Sequence, residues 1–313
     1  MGIRKNILNY LSVHGKENKY RIARALKIDV GEAAEALNVL KKEGKIEMKV
    51  GNAILLKNEK FWRVRAPWWL RKLIFNQADL VIAVSEFAAA SVRKYFPHKD
   101  ILAIINGVDS GFFNPAKKDK QYLKEKYGIN FDKPIVAFIG TLQPRKRPDL
   151  VMKIAKSCQE MNFVFVGKNY APWNFGAQIN QLLNAQWIPA MPRQDISVFL
   201  ASSDVFIFPS LNETCAAVIV EAMASGIPSL VSNSGGNGEM IQNGKDGFLI
   251  KVNESEKELF LEKLDYLMKN EKIKKEMAAT ARSRAINDFS WDRVAELYKK
   301  TLSDFLKMNN NCV

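Results

Sequence analysis

From Ala78 onward, short apolar runs of strand length alternate with stretches of helical spacing, and this alternation restricts the chain more than any other feature. The runs fall at 80–84, 101–105, 135–139, 163–166, 205–208, 229–231 and 248–250, each bounded by turn residues. Helices fit between them, as at 148–157, 195–201 and 216–225. Strands that are apolar on both faces and linked by helices predict a parallel sheet covered on both sides. The expected fold class is α/β, a doubly wound parallel sheet. After residue 254 the chain reads as charged and helical to its end.

Residues 1–60 carry a different pattern. Ile3, Ile7, Leu8 and Leu11 recur at helical spacing, Tyr20, Ile22, Ala23 and Leu26 form a second group, and Ala33, Ala34, Leu37 and Leu40 a third that Gly44 closes. Ile46, Met48 and Val50 then alternate, Gly51-Asn52 turns the chain, and 53–56 return as a hairpin. Three helices and a hairpin resemble the winged helix-turn-helix domains of DNA-binding regulators, so a small winged-helix-like α+β domain is expected here. Its third helix opens on Glu32 and Glu35, which phosphates repel, and offers Lys41 and Lys42 only at its far end. DNA binding and a protein-docking or structural role both stay open.

Charge separates these two parts of the chain. With 47 Lys+Arg against 33 Asp+Glu the net charge is +14, and residues 1–60 hold 13 basic and 7 acidic side chains while 61–115 hold 7 and 4. The first third therefore implies an anionic partner: a lipid phosphate, a nucleic acid or a glycan. Residues 60–75 hold five basic residues, five aromatics and no acid. That composition suits a helix lying on an anionic membrane surface, and equally a domain interface with wet cations. An apolar content of 47% is ordinary for a globular chain, and no run approaches the roughly 20 residues that span a bilayer. A cytoplasmic protein is expected, peripheral at a membrane at most. Cys158, Cys215 and Cys312 lie far apart, which supports neither a disulfide framework nor a zinc site.

In a doubly wound sheet the ligand lies beyond the carboxyl ends of the strands, where helix N-termini present free N–H groups. Three such ends carry distinctive residues. After 135–139 comes Gly140-Thr141-Leu142-Gln143-Pro144-Arg145-Lys146-Arg147-Pro148, three consecutive cations before a helix that Pro148 can open, an arrangement suited to a diphosphate. After 205–208 come Glu213-Thr214-Cys215-Ala216 and then Glu221-Ala222-Met223-Ala224-Ser225-Gly226-Ile227-Pro228. After 229–231 comes Gly235-Gly236-Asn237-Gly238-Glu239.

The E-x7-E spacing of Glu213 and Glu221, followed by Glu-Ala-Met-Ala-x-Gly-x-Pro and Gly-Gly-x-x-Glu, resembles the signature of the retaining GT-B-fold glycosyltransferases of group 1, the family-four type. The resemblance takes in Ser85-Glu86, Asn106-Gly107-Val108-Asp109 with Phe113, Gly140 to Lys146, and the closing Phe289-Ser290-Trp291, in the family's order over about residues 70–306. It implies a Rossmann-like GT-B C-terminal domain that transfers a sugar from a nucleotide-sugar with retention of configuration. Glu213 and Lys146 would be its catalytic pair, and Arg145, Lys146, Glu213, Thr214, Cys215, Ala216 and Glu221 its donor-binding set. Glu221 would accept hydrogen bonds from ribose hydroxyls, Glu213 would contact the donor sugar, and Lys146 would neutralise the diphosphate leaving group. Eight helical residues rise about 12 Å, so the two glutamates can reach two ends of one extended ligand. No cofactor is implied, the nucleotide-sugar being a substrate. No metal is implied either: there is no Asp-x-Asp, the only histidines are His14 and His98, and protein cations would do the neutralising.

Two departures from the family pattern carry consequences. Thr141 stands where the family has the arginine of Gly-Arg-Leu, so Arg145 or Arg147 is expected to substitute. Thr214-Cys215-Ala216 replaces the usual Gly-Phe-Gly and places side chains where glycine lets a ligand approach the backbone. Length is the larger departure. Residues 61–115 are too few for a whole acceptor domain, so the expected plan is a winged-helix-like domain at 1–60, a remnant acceptor domain and hinge at 61–115, the nucleotide-sugar domain at 116–290, and a crossover helix and tail at 291–313. A catalytically silent nucleotide-sugar domain that regulates a winged-helix module is the alternative, and a partner subunit that completes the acceptor half is a third reading. Lys146, Glu213 and Glu221 all stand at family spacing, which favours the enzyme.

Overall fold

The computed structural model describes residues 75–170 and 172–310, with side chains to residue 307. These residues belong to the compact unit Arg63–Val313. The winged-helix-like pattern at 1–60 and all of the basic aromatic run except Phe75 lie outside the described residues.

Two parallel strands, β1 (Val81–Ala83) and β2 (Ile101–Ala103), pair with Val81 opposite Ile101, and α1 (Glu86–Arg93) connects them. Ala83, Ala88, Ala89, Val92, Phe96 and Ile101 form their small core. Phe75 closes it, its ring stacked on Phe96 at 4.8 Å.

A helix α2 (Lys120–Tyr127), capped by Asp119 and ended by Gly128 in the left-handed region, leads into the main sheet. There β3 (Ile135–Ile139), α3 (Pro148–Ser157), β4 (Asn162–Val166), α4 (Phe175–Ile179), β5 (Ala185–Ile188), α5 (Arg193–Ser202), β6 (Val205–Phe208), α6 (Ala217–Ala224), β7 (Ser229–Ser232), α7 (Asn237–Met240) and β8 (Gly247–Ile250) alternate. The strand order is β5-β4-β3-β6-β7-β8, parallel throughout. It is the doubly wound order in which the chain reverses direction across the sheet after its third strand, and the reversal opens a crevice between β3 and β6.

Side chains alternate across this sheet as the pleat requires. Ala137, Val164, Phe206 and Phe208 enter one core, and Val136, Phe138, Phe163, Phe165, Val205 and Ile207 the other. Each fully buried phenylalanine contributes about 2 kcal/mol. The apolar runs legible in the sequence are these strands. One strand is not among them: β5 carries Gln186 and Trp187, so no apolar run marks it. It is one of the sheet's two edge strands, half-buried, with the Trp187 indole N–H donating to the Gly167 carbonyl at 2.9 Å.

The chain ends in α8 (Glu256–Lys269), α9 (Glu271–Asn287) and α10 (Trp291–Asn310). Arg282 of α9 donates to the carbonyls of Ser110, Phe113 and Ala224, at 2.8, 2.7 and 2.6 Å. The 110–113 loop is thereby tied to the end of α6. Phe289-Ser290-Trp291 runs beside the Asn106-Gly107-Val108 segment: Val108 pairs with Ser290, and a Cβ on Gly107 would stand 2.7 Å from the Trp291 ring. Among the described residues no helix is long and apolar enough to cross a membrane.

Candidate active site

The crevice between β3 and β6 brings together the first two motif loops. After β3, Pro144–Lys146 forms one 3-10 turn and Arg147 takes the left-handed region (φ 55°), from which Pro148 opens α3. After β6, Pro209 to Ala216 reaches the start of α6. The loops are zipped along their backbones, with Leu211 N–H donating to Arg145 O at 2.9 Å.

Glu213 is the centre of this arrangement. Its Oε1 receives Lys146 Nζ, Arg145 Nη1 and Ser210 Oγ, each at 2.5 Å. Glu213 is 7% exposed and Lys146 9%. Burial pushes the Glu213 carboxyl up, but the neighbouring Lys146 and Arg145, with the Ser210 hydroxyl, hold it below the usual carboxylate range on balance. Lys146 also lies over the Phe208 ring, 4.7 Å from its centre. Arg145 Nη2 and Thr141 Oγ1 are buried and have no hydrogen-bond partner among the described residues.

The third cation is elsewhere. The run of three predicts that Arg147 joins the cluster, and it does not, because its guanidinium donates to Glu256 Oε2 at 2.5 Å. Glu256 is 2% exposed, its other oxygen takes the Ser232 hydroxyl, and a carboxylate so deep needs a cation. Arg147 therefore braces Glu256 beneath the site, and of the two arginines only Arg145 stands in the Glu213 cluster.

Glu221 occupies a different environment. It sits in the middle of α6, whose other residues are apolar, and burial pushes its carboxyl up. Arg193, at the start of α5, approaches it at 3.8 Å while lying over the rings of Phe112 and Phe113. No sequence signal marks Arg193; only the return of the 112–113 loop against α5 places it. Glu213 precedes α6 by four residues, so the expected helical ruler of about 12 Å between the glutamates holds for only half of the spacing. Thr214, Cys215 and Ala216 line the approach to α6, whose N-terminus has no side-chain cap. The Cys215 thiol, raised by burial, accepts the Asn106 backbone N–H.

Gly235 and Gly236 press against this loop. Gly235 pairs with Glu213, and Gly236 N–H donates to Glu213 O at 2.7 Å. Gly235 has φ 64°, and a Cβ there would stand 2.3 Å from Glu213 O. Gly235→Ala is expected to cost on the order of 2 kcal/mol and to move Glu213 off its cations. Urea unfolding together with nucleotide titration checks this, and unchanged values in both would remove the glycine's assigned role.

The sequence matches the family described as "Glycosyl transferases group 1" over residues 119–284. The chain belongs to that family. Residues 52–112 match a second description, "Glycosyltransferase Family 4". Among relatives of this group 1 chain is the UDP-Gal:alpha-D-GlcNAc-diphosphoundecaprenol alpha-1,3-galactosyltransferase of Escherichia coli, 33% identical over 73% of this chain and 59% of its own length. Less than two thirds of that relative is therefore spanned. The Anabaena HepE protein, solved in complex with UDP, shares the fold at a TM-score of 0.66 and 21% identity, over 74% of this chain and 66% of that one. A Rickettsia africae glycosyltransferase does so at 0.65 and 20%, over 97% of this chain and 94% of that one.

Proposed function

We propose that this group 1 protein transfers a sugar from a nucleotide-sugar donor to an anionic acceptor, with retention of configuration and without a metal. The observation that carries the reading is the convergence of Lys146 and Arg145 on Glu213 at the sheet's switch point. Two cations there can receive a diphosphate, and as the bond between sugar and phosphate breaks they neutralise the charge gathering on the departing oxygen. Buried Arg145 Nη2 and Thr141 Oγ1, left over in the free protein, supply donors for the phosphate oxygens. The uncapped start of α6 adds N–H groups and a positive dipole end beside Thr214 to Ala216. Glu213 then faces the donor sugar, and Glu221, which lacks hydrogen-bonded neighbours comparable to those of Glu213, accepts from the ribose hydroxyls. The basic first third offers the acceptor its phosphate or glycan contacts.

A thermal-shift screen of UDP-, GDP- and ADP-sugars, followed by transfer and donor-hydrolysis assays, tests the reading. It fails if no nucleotide shifts the melting temperature and no donor is consumed. Within it, Glu221→Ala is expected to weaken nucleotide binding about 10- to 100-fold through two lost charge-assisted hydrogen bonds. The free protein should not lose stability, since burial already disfavours the ionised carboxyl. For the same reason, wild-type affinity should fall in mild acid at a pH above the ordinary glutamate range. A Glu221→Ala protein with unchanged affinity would take the ribose contact away from this residue.

A further inference from the structure

Glu239, the last residue of the Gly-Gly-x-x-Glu motif, has no part in donor binding as proposed above. Its carboxylate instead crosses to the β1-α1-β2 unit. Oε2 accepts the backbone N–H of Glu86 at 2.7 Å and Oε1 that of Phe87 at 2.8 Å, so the first two residues of α1 are held by one side chain 153 and 152 positions away. Alpha-helical starts need such acceptors, but α1 already has a local one: the Ser85 hydroxyl accepts Ala88 N–H at 3.1 Å. A second, remote cap adds little to helix formation. What it adds is a connection.

The other end of that connection is the donor loop. Glu239 N–H donates to Gly236 O at 3.2 Å, and Gly236 N–H donates to Glu213 O at 2.7 Å. The fit is close on both sides of Gly236, where a Cβ would stand 2.1 Å from Thr214 O and 3.1 Å from Ser85 Oγ. Beside it, the Asn106 backbone N–H reaches the Cys215 thiol. The carboxyl ends of β1 and β2 therefore both abut residues 213–216 and 236, and Glu239 is the charged group that spans the joint.

We propose that Glu239 is a positioning residue that locks the β1-α1-β2 unit to the donor loop, so that occupation of the loop at Glu213 is felt at the first turn of α1 and that unit is held in register for transfer. The proposal rests on the donor reading of Glu213. A bidentate carboxylate on two helix-start N–H groups is charge-assisted and aligned with the helix dipole, which makes it a firm joint between the small β1-α1-β2 core and the donor loop.

The test uses the full chain as wild type, Glu239→Ala and the isosteric Glu239→Gln, with whichever of UDP, GDP and ADP most raises the wild-type melting temperature. In wild type the amides of Glu86 and Phe87 should exchange slowly with solvent and slow further when the nucleotide binds. In Glu239→Ala they should exchange at least tenfold faster and ignore the nucleotide. Nucleotide affinity should stay within threefold, while turnover of the matching nucleotide-sugar falls about 100-fold at nearly unchanged donor KM, the penalty of small misplacement near a reacting centre. Glu239→Gln keeps one good acceptor oxygen and should fall between. Amides that stay protected in both variants, or affinity and turnover that fall together, would overturn the proposal. If wild type binds none of the three nucleotides, the donor reading fails, and exchange at Glu86 and Phe87 in Glu239→Ala still reports whether the joint exists.

Discussion

Lys146→Ala is expected to lower turnover of the donor by two to three orders of magnitude, the usual effect of removing one fixed donor aimed at developing charge. Nucleotide affinity should fall much less. Charge on the leaving diphosphate grows as the glycosyl bond stretches, so a cation at that oxygen gives more to the transition state than to the bound donor. Stability should change little, because Glu213 keeps Arg145 and Ser210 on the same oxygen. Lys146→Arg should not restore activity. The slot is 9% exposed and closed on one side by the Phe208 ring, which a compact ammonium fits and a broad guanidinium does not. Steady-state kinetics and calorimetry of nucleotide binding on the three proteins decide the matter. Equal losses in affinity and turnover would make Lys146 a ground-state binding residue.

Some of this site could be read from residue order and some could not. Strands buried on both faces leave continuous apolar runs, so β3, β6 and β7 and the loops after them stand out before any fold is known. The half-buried edge strand β5 leaves no such run, and Gln186 and Trp187 conceal it. Adjacent cations are equally ambiguous. Arg145, Lys146 and Arg147 look equivalent in sequence, yet the left-handed backbone at Arg147 sends its side chain down to a carboxylate more than one hundred residues later. Arg193 near Glu221 and Glu239 on α1 belong to the same class. Each depends on a long-range contact made only when separate loops pack, and local spacing carries no record of it. Glu213 and Glu221 were legible as a pair, whereas their opposite electrostatics were not: one carboxyl is surrounded by cations and a hydroxyl, the other is buried along an apolar helix.

Glu213→Gln should separate the structural from the chemical part of that cluster. The amide keeps the size of the side chain and one acceptor oxygen for Ser210 and Lys146, but two cations lose their carboxylate. Breaking a buried ion pair from one side costs about 3 to 5 kcal/mol. With Arg145 partly exposed and one acceptor retained, about 2 kcal/mol is expected here, at the low end of large single-residue effects. The effect depends on pH in a defined direction. The wild-type carboxyl is held below its usual range, so its contribution is complete above about pH 4.3 and is lost as pH falls through the lower folded value. Melting curves of wild type and variant should therefore converge in acid. Added nucleoside diphosphate should act the other way, raising the melting temperature of the variant by more than that of wild type, because the phosphates supply the negative charge that Lys146 and Arg145 have lost. Turnover should nevertheless disappear, since an amide cannot offer the donor sugar the same charge. If the diphosphate stabilises the variant less than wild type, Lys146 and Arg145 do not receive it, and the cluster is a structural ion pair beside a donor site built from other groups.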